Sequence, residues 1–369
     1  MQRLLSKTLL GVLVIAAASA GADPRISRPA PRAVDLVIAL DVSGSMSGLI
    51  DSAKQRLWDV INELARAQPQ PDLRVAILTY GNPSYGAHTG FVRLDQPLTR
   101  DLDAVNQRLF SFTTNGGAEY VARVVDRAIE SLQWSAEPDA MRLMFVAGNE
   151  SAEQDPELAM QEVLAAAAHA GVIVNTIYCG PDNDADAASW RRVAAAGLGT
   201  YAAIDQHADA VAQIETPMDA KLAKLNDALN ETYIAYGEEG ERGKANQRAQ
   251  DDNASEMSLS AVASRIITKA GSLYNNARWD LIDALESGKE VKTKDLPAVM
   301  KPMTEQERKD YVAKQSKRRT SLSQEIASIA DERREYIAEH RTSDHDDGLD
   351  AALVGGVRKL AEEHGFVFE

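Results

Sequence analysis

Short apolar runs alternate with longer amphipathic ones from Val34 to about residue 212. Leu36 to Leu40 reads as a buried strand. The helix after it carries Ile50, Ala53, Leu57, Ile61 and Leu64 at spacings of three and four, which places them on one face. Further strands are predicted at 74–80, 91–94, 142–148, 172–178 and 201–204. Glycine and proline break the stretch up to Gly90, so 74–80 and 91–94 read as a hairpin edge. A helix opens at Thr99 or Asp101, and the next carries Val121, Val124, Val125, Ala128, Ile129 and Leu132. Asp155-Pro156 predicts an N-cap with proline at the first helical position, and Gly171 stands where a C-terminal glycine belongs. Another helix lies around Trp190 to Ala196 and stops at Gly197. Strands flanked by helices imply an α/β fold with a doubly wound, mostly parallel sheet covered on both faces. Ligands of such a sheet sit at the carboxyl ends of its strands. Asp41 is at one of those ends.

After about residue 215 the strand pattern stops, and apolar residues recur at helical spacing among Ala, Lys, Glu, Arg and Gln. Polar segments at 237–256 and 287–303 split this region. Thr304 with Glu307 makes a capping box, and a helix from there to about His340 would be roughly 55 Å long. Leu322, Ile326, Ile329, Tyr336 and Ile337 give it a narrow apolar stripe. It is expected to pack as one arm of a helical hairpin or coiled coil, with Ser258 to Glu286 as a candidate partner. The domains expected are therefore an α/β unit over 34–215 and an all-α helical region over 216–369, with no internal repeat.

The amino terminus has a different character. Arg3 and Lys7 precede an apolar run from Leu9 to Ala18, and Ala18-Ser19-Ala20 has the small-x-small form of a cleavage site. Residues 1–20 are expected to be an export signal, and 21–33, with three prolines and three arginines, a flexible leader. The apolar run is too short for a membrane span, which needs about 20 residues. No cysteine follows the signal to carry a lipid, and no later stretch is apolar enough to cross a bilayer, so a periplasmic or extracellular location is expected. A net charge of −15 over 369 residues argues against nucleic acid or anionic lipid as a partner. Cys179 is the only cysteine, so no internal disulfide can form, and its place at a strand end reads as a buried, inert thiol.

The candidate chemistry lies in DVSGS at 41–45. Asp41, Ser43 and Ser45 offer hard oxygen donors at alternate positions just after a buried strand, and Gly44 allows a sharp turn between them. Such a loop can wrap one small divalent cation. The same residues could instead form an N-cap cluster, although a cap needs only one of them. The aromatic residues Tyr233, Tyr274, Trp190 and Trp279 fall in helical periods and read as core. His340, Asp344, His345, Asp346 and Asp347 resemble a ligand set, but the intervening Arg341, Ser343 and Gly348 favour a solvated linker. No phosphate loop, zinc motif or supported Ser-His-Asp arrangement is found. With no histidine near the loop there is no evident general base.

These residues resemble the von Willebrand factor type A domain family, whose DxSxS loop follows its first buried strand as DVSGS does here. The resemblance covers roughly residues 34–212 and implies a metal-ion-dependent adhesion site, usually holding Mg²⁺ and completed by a partner's carboxylate. It also implies that Ser43 and Ser45 bind the metal directly while Asp41 acts mainly through water and hydrogen bonds. Two other loops depart from the family pattern. Gly-Gly-Thr-Asp is replaced by Gly116-Gly117-Ala118-Glu119, and Thr-Asp-Gly by Val146-Ala147-Gly148. The site is then either reshaped, with Glu119, Asn149 or Glu150 as substitutes and Thr113 or Thr114 as stand-ins, or weakened. Glu119 could equally favour the positive end of its helix, and Asn149 and Glu150 could form only a turn. The expectation is an exported, non-enzymatic protein that engages a protein partner through Mg²⁺ (or Mn²⁺) at Asp41, Ser43, Ser45, Glu119 and Asn149. Its helical tail would set reach or oligomeric contacts. A metal-free envelope scaffold and, more weakly, a metal-assisted hydrolase are the alternatives.

Overall fold

The computed structural model describes residues 12–13, 30–204, 214–340 and 349–368. Its centre is a six-stranded sheet. In chain order the strands are β1 (Arg32–Asp41), β2 (Pro71–Tyr80), β3 (Val92–Thr99), β4 (Met141–Gly148), β5 (Val172–Tyr178) and β6 (Leu198–Ala203). They lie side by side in the order β3-β2-β1-β4-β5-β6. All neighbours are parallel except β2 and β3, the predicted hairpin edge. On β1, Leu36 and Leu40 face one apolar cluster while Val37 and Ala39 face another. A central parallel strand covered on both faces therefore reads as a continuous apolar run.

The helices of this unit are α1 (Ser47–Leu64), α2 (Leu102–Phe110), α3 (Val121–Ser131), α4 (Met160–His169) and α5 (Ala187–Ala196). The five expected apolar positions of α1 are all buried. Asp101 caps α2 by accepting from the Ala104 amide at 3.0 Å, and Gly197 ends α5. One predicted boundary moves. Helix α4 starts at Met160: Asp155 makes cap-like bonds, accepting from the amides of Glu157 and Leu158 as well as from the Arg123 guanidinium, but the turn it caps does not continue as helix. Its end is as predicted, with Gly171 at φ +68°.

Beyond the sheet lie α6 (Asp219–Asn230), α7 (Gly240–Met257), α8 (Leu259–Ala270), α9 (Leu281–Glu286), α10 (Glu305–His340) and α11 (Leu349–Glu363). The polar segment 237–256 is mostly helix α7, and the span Ser258 to Glu286 is two helices with a turn between them. The capping box that opens α10 is present: the Thr304 amide donates to Glu307 Oε2 at 2.7 Å and the Glu307 amide to Thr304 Oγ1 at 3.3 Å. Helix α10 packs on both α6 and α8, with Ile326 buried and Arg333 Nε donating to Asp219 Oδ1 at 2.8 Å.

The helical region is not set apart from the sheet. One apolar cluster holds Leu57, Trp58 and Ile61 of α1 together with Leu229, Ile266, Ile326, Val357 and Leu360. Helices α8 and α11 both lie on α1, and Asn62 donates to Ser264 O at 2.8 Å and accepts from Thr268 Oγ1 at 2.7 Å. The chain closes on the domain it began with: Val367 and Phe368 pair antiparallel with Gln68 and Ala67. Among the described residues no helix is long and apolar enough to cross a membrane. Val12–Leu13 pair antiparallel with Val291–Lys292, while the rest of the expected export signal, residues 21–29 of the leader and the Asp344–Asp347 cluster lie outside the described residues.

Candidate metal centre

The site forms where β1 changes neighbours, between β2 on one side and β4 on the other. Three loops meet there. The Val42 amide donates to Tyr80 O at 2.9 Å and Val42 O accepts from the Asn115 amide at 3.0 Å, so the loop after β1 is fastened to the loops after β2 and before α3. Asp41 is fully buried, and its Oδ1 accepts from the Ser43 amide at 2.7 Å. That bond turns the chain so that Ser43 and Ser45 bring their hydroxyls together, with the two Oγ atoms 3.2 Å apart. The alternate spacing read in the sequence thus becomes convergence on one point. The capping alternative does not hold, since α1 begins after Met46 with no side-chain cap.

Glu119 comes from the opposite wall. It is only 5% exposed, and its carboxylate lies within hydrogen-bond reach of both Asp41 and Ser43. It does not cap the helix that follows, whose N-cap is Tyr120. Asn149 completes the ring by donating from Nδ2 to Ser45 Oγ at 3.0 Å. Glu150 turns aside: its carboxylate accepts from Gln154 Nε2 at 3.1 Å and its carbonyl from Trp190 Nε1 at 2.7 Å. Among the described residues no hydrogen bond from Thr113 or Thr114 reaches the site. Ala147 is buried in the core, and its carbonyl accepts from Tyr80 OH at 2.9 Å.

Two residues that the sequence reading did not single out hold this geometry. Gly81, at φ +80°, passes so close that a Cβ there would lie 2.6 Å from Asp41 Oδ1 and 3.0 Å from Glu119 Cγ. Gln154 donates to Glu119 O at 2.9 Å. The Gly81-Asn82-Pro83 turn signal at the end of a buried strand marks the first; no local signal marks the second.

The electrostatics are those of anions pressed together away from water. Burial, then repulsion from Glu119, pushes the Asp41 carboxyl well above its ordinary value, against the Ser43 amide that lowers it. Glu119 is raised by burial and by the charge of Glu150, while its contacts to Asp41 and Ser43 oppose that. Asp41 Oδ2, Glu119 Oε2 and Asn149 Oδ1 are buried and have no hydrogen-bond partner. Buried polar oxygens ordinarily have one. The Asp41 and Glu119 carboxylates with the Ser43 and Ser45 hydroxyls form an all-oxygen donor set of the kind Mg²⁺ and Mn²⁺ prefer, so the residues present fit such an ion. Among the described residues no group of three or more His, Cys, Asp or Glu side chains is placed to hold a metal ion; two carboxylates and two hydroxyls make this set instead. Cys179 takes no part: it is buried, and burial pushes its thiol far up.

The family model for the von Willebrand factor type A domain matches residues 35–217. Over those residues the chain belongs to that family. Solved structures similar to the VWA domain include an aerotolerance-related membrane protein from Bacteroides fragilis NCTC 9343. It is 17% identical over 47% of this chain and 92% of that one, with a TM-score of 0.32. Proximal thread matrix protein 1 from the mussel byssus, with a zinc occupied MIDAS motif, is 10% identical over 48% of this chain and 43% of that one, TM-score 0.39. The pilus adhesin SpaC from Lactobacillus rhamnosus GG is 14% identical over 48% of this chain and 28% of that one, TM-score 0.37. This chain spans less than half the length of the mussel and pilus proteins, and the likeness is one of fold alone. A comparison with curated proteins finds no significant match.

Proposed function

We propose that this is an exported, non-enzymatic binding protein whose VWA domain holds Mg²⁺ or Mn²⁺ and meets a protein partner at the mouth of that site. The observation that carries the reading is the pair of buried, unpartnered carboxylate oxygens, Asp41 Oδ2 and Glu119 Oε2, beside the Ser43 and Ser45 hydroxyls. A cation there would give the carboxylate oxygens a partner and supply a positive centre for an oxygen ligand of the protein it meets. Ser45 is exposed, which leaves an approach to the site from solvent. Export rests on the basic, apolar and small-residue pattern of the first twenty residues. The non-enzymatic reading rests on the donor set itself: it contains no histidine and no activated nucleophile. The helical region braces α1, the helix that leaves the metal loop.

The test is a pull-down from cell-envelope extract with purified mature protein, with and without EDTA, alongside Ser43→Ala/Ser45→Ala. Loss of the captured partner in both arms supports the reading. Capture unchanged in both removes the metal from the mechanism and leaves a metal-free scaffold.

A further inference from the structure

The sequence contains a single Asn-Gly pair, Asn115-Gly116, and it lies in the loop before α3 that leads to Glu119. We propose that this pair is a self-modification site: the Gly116 amide nitrogen displaces the Asn115 side-chain amide, and the isoaspartyl product slackens the segment that carries Glu119 and weakens cation binding. The effect on the cation rests on the function proposed above; the modification itself does not. Both residues are exposed. Among the described residues neither the Asn115 side chain nor the Gly116 N–H makes a hydrogen bond, and a Cβ on Gly116 would meet nothing within 4 Å. Side chain and nucleophile are free to come together, and the second residue has no side chain to obstruct the ring they form.

The step needs no co-reactant but water. Gly116 N gives its proton to solvent and bonds to Asn115 Cγ, the Cγ–Nδ2 bond breaks, and Nδ2 takes a proton from solvent and leaves as ammonia. A cyclic imide remains. Water opens it in either of two ways: addition at Cγ gives aspartate with the ordinary backbone, and addition at the main-chain carbonyl gives isoaspartate, in which the chain runs through Cβ and Cγ. Both products carry a carboxylate where Asn115 had a neutral amide.

Two anchors bracket the pair. The Asn115 amide donates to Val42 O at 3.0 Å, and a Cβ on Gly117 would lie 2.6 Å from Gly81 O and from Pro83 Cδ, so Gly117 is pressed onto the turn after β2. Gly116 alone lies between them. It runs along the cation loop, where a Cβ on Gly44 would be 3.8 Å from Gly116 N. Isoaspartate adds one backbone atom inside this bracket, about 1.5 Å of chain that two fixed ends cannot both absorb. The added length passes to Ala118 and Glu119, whose carboxylate is within hydrogen-bond reach of Asp41 and Ser43. Aspartate adds charge and leaves the backbone as it was.

The test ages the full chain in warm, mildly alkaline, metal-free buffer beside Gly116→Ala, Asn115→Gln and Asn115→Asp, then maps the tryptic peptide Leu109–Arg123 by mass and titrates each protein with Mn²⁺. Gly116→Ala is tolerated by the open space at that position and slows ring closure, and Asn115→Gln closes its ring far more slowly. The wild-type peptide should gain about 1 Da, mainly as isoaspartate, while both of these variants keep their mass. Fresh wild type and Gly116→Ala should bind Mn²⁺ with Kd values within about twofold, and the isoaspartyl wild type should bind roughly tenfold more weakly. Asn115→Asp should bind no more weakly than fresh wild type. No mass gain at Asn115, or an equal gain in Gly116→Ala and in wild type, overturns the modification. Full conversion to isoaspartate with an unchanged Kd overturns its effect on the site. A fresh wild type that ignores millimolar Mn²⁺ removes the metal reading and that effect with it, and the mass map then decides the modification alone.

Discussion

Arg265 Nη1 on α8 donates to Asp103 Oδ1 on α2 at 2.8 Å, and both side chains are shut away from solvent. The same guanidinium donates from Nε to Asp251 Oδ1 at 2.5 Å and from Nη2 to Gln247 O at 2.8 Å, and Tyr274 OH reaches Asp103 Oδ2 at 2.5 Å. A buried ionic network thus crosses from the VWA domain to the helical region. Removing one member of such a pair strands the other, at about 3–5 kcal/mol. Arg265→Ala should therefore lower the unfolding free energy in urea by about that amount. A loss under 1 kcal/mol would mean that the network contributes little.

Truncation tests the shared core. A chain ending at residue 215 would uncover the face of α1 now covered by α8 and α11, including Leu57 and Ile61. It should aggregate or bind a hydrophobic dye strongly, and the full chain should unfold in one transition. A monomeric 30–215 fragment as stable as the full protein would show that the helices are an independent appendage.

Much of this was legible in the sequence because it rests on apolar periodicity. The sheet, α1 and α3 follow directly from where Leu, Val and Ile fall, and the capping residue Asp101 and the closing Gly197 mark α2 and α5. Helix α7 was not legible, since it buries Gln247, Gln250 and Asp251, residues that look solvated until Asn106, Arg265 and Tyr274 are brought to them. Asp155-Pro156 has the composition of a helix start and Asp155 does accept from the Glu157 and Leu158 amides, but the turn it opens stops short and the helix begins at Met160. At the site, Asp41, Ser43 and Ser45 are local and readable. The contact between Asp41 and Glu119 is made by tertiary structure, and its hinge, Gly81, shows in the sequence only as a turn glycine.

Acid should unpick the helical region in a defined window. Burial alone would raise Asp251, but the charges of Lys269 and Arg265 outweigh it and hold its carboxyl at about 2, against an ordinary 3.8. A depressed carboxyl gives stability that is present above its unfolded value and is lost as pH falls through the folded one. The shift corresponds to roughly 2 kcal/mol lost between about pH 4 and pH 2. Asp251→Asn should be less stable at neutral pH and show a flatter acid limb in pH-dependent urea melts. An unchanged acid limb would assign it to other groups.

Gly81→Ala places a methyl 2.6 Å from Asp41 Oδ1 at a residue with φ +80°. The backbone strain alone costs about 1–2 kcal/mol, and the clash falls on the metal side chains. Thermal melts should show the destabilisation, and Mn²⁺ affinity should drop at least tenfold in the fraction that stays folded. Full affinity in a folded variant would mean that the approach of Gly81 does not position the site.

Calorimetric titration of the purified protein with Mn²⁺, beside Ser43→Ala/Ser45→Ala, tests the cation site most directly. The account predicts one ion per chain for the wild type and none for the double variant, with matching circular dichroism. Equal binding by both proteins, or by neither, would contradict it.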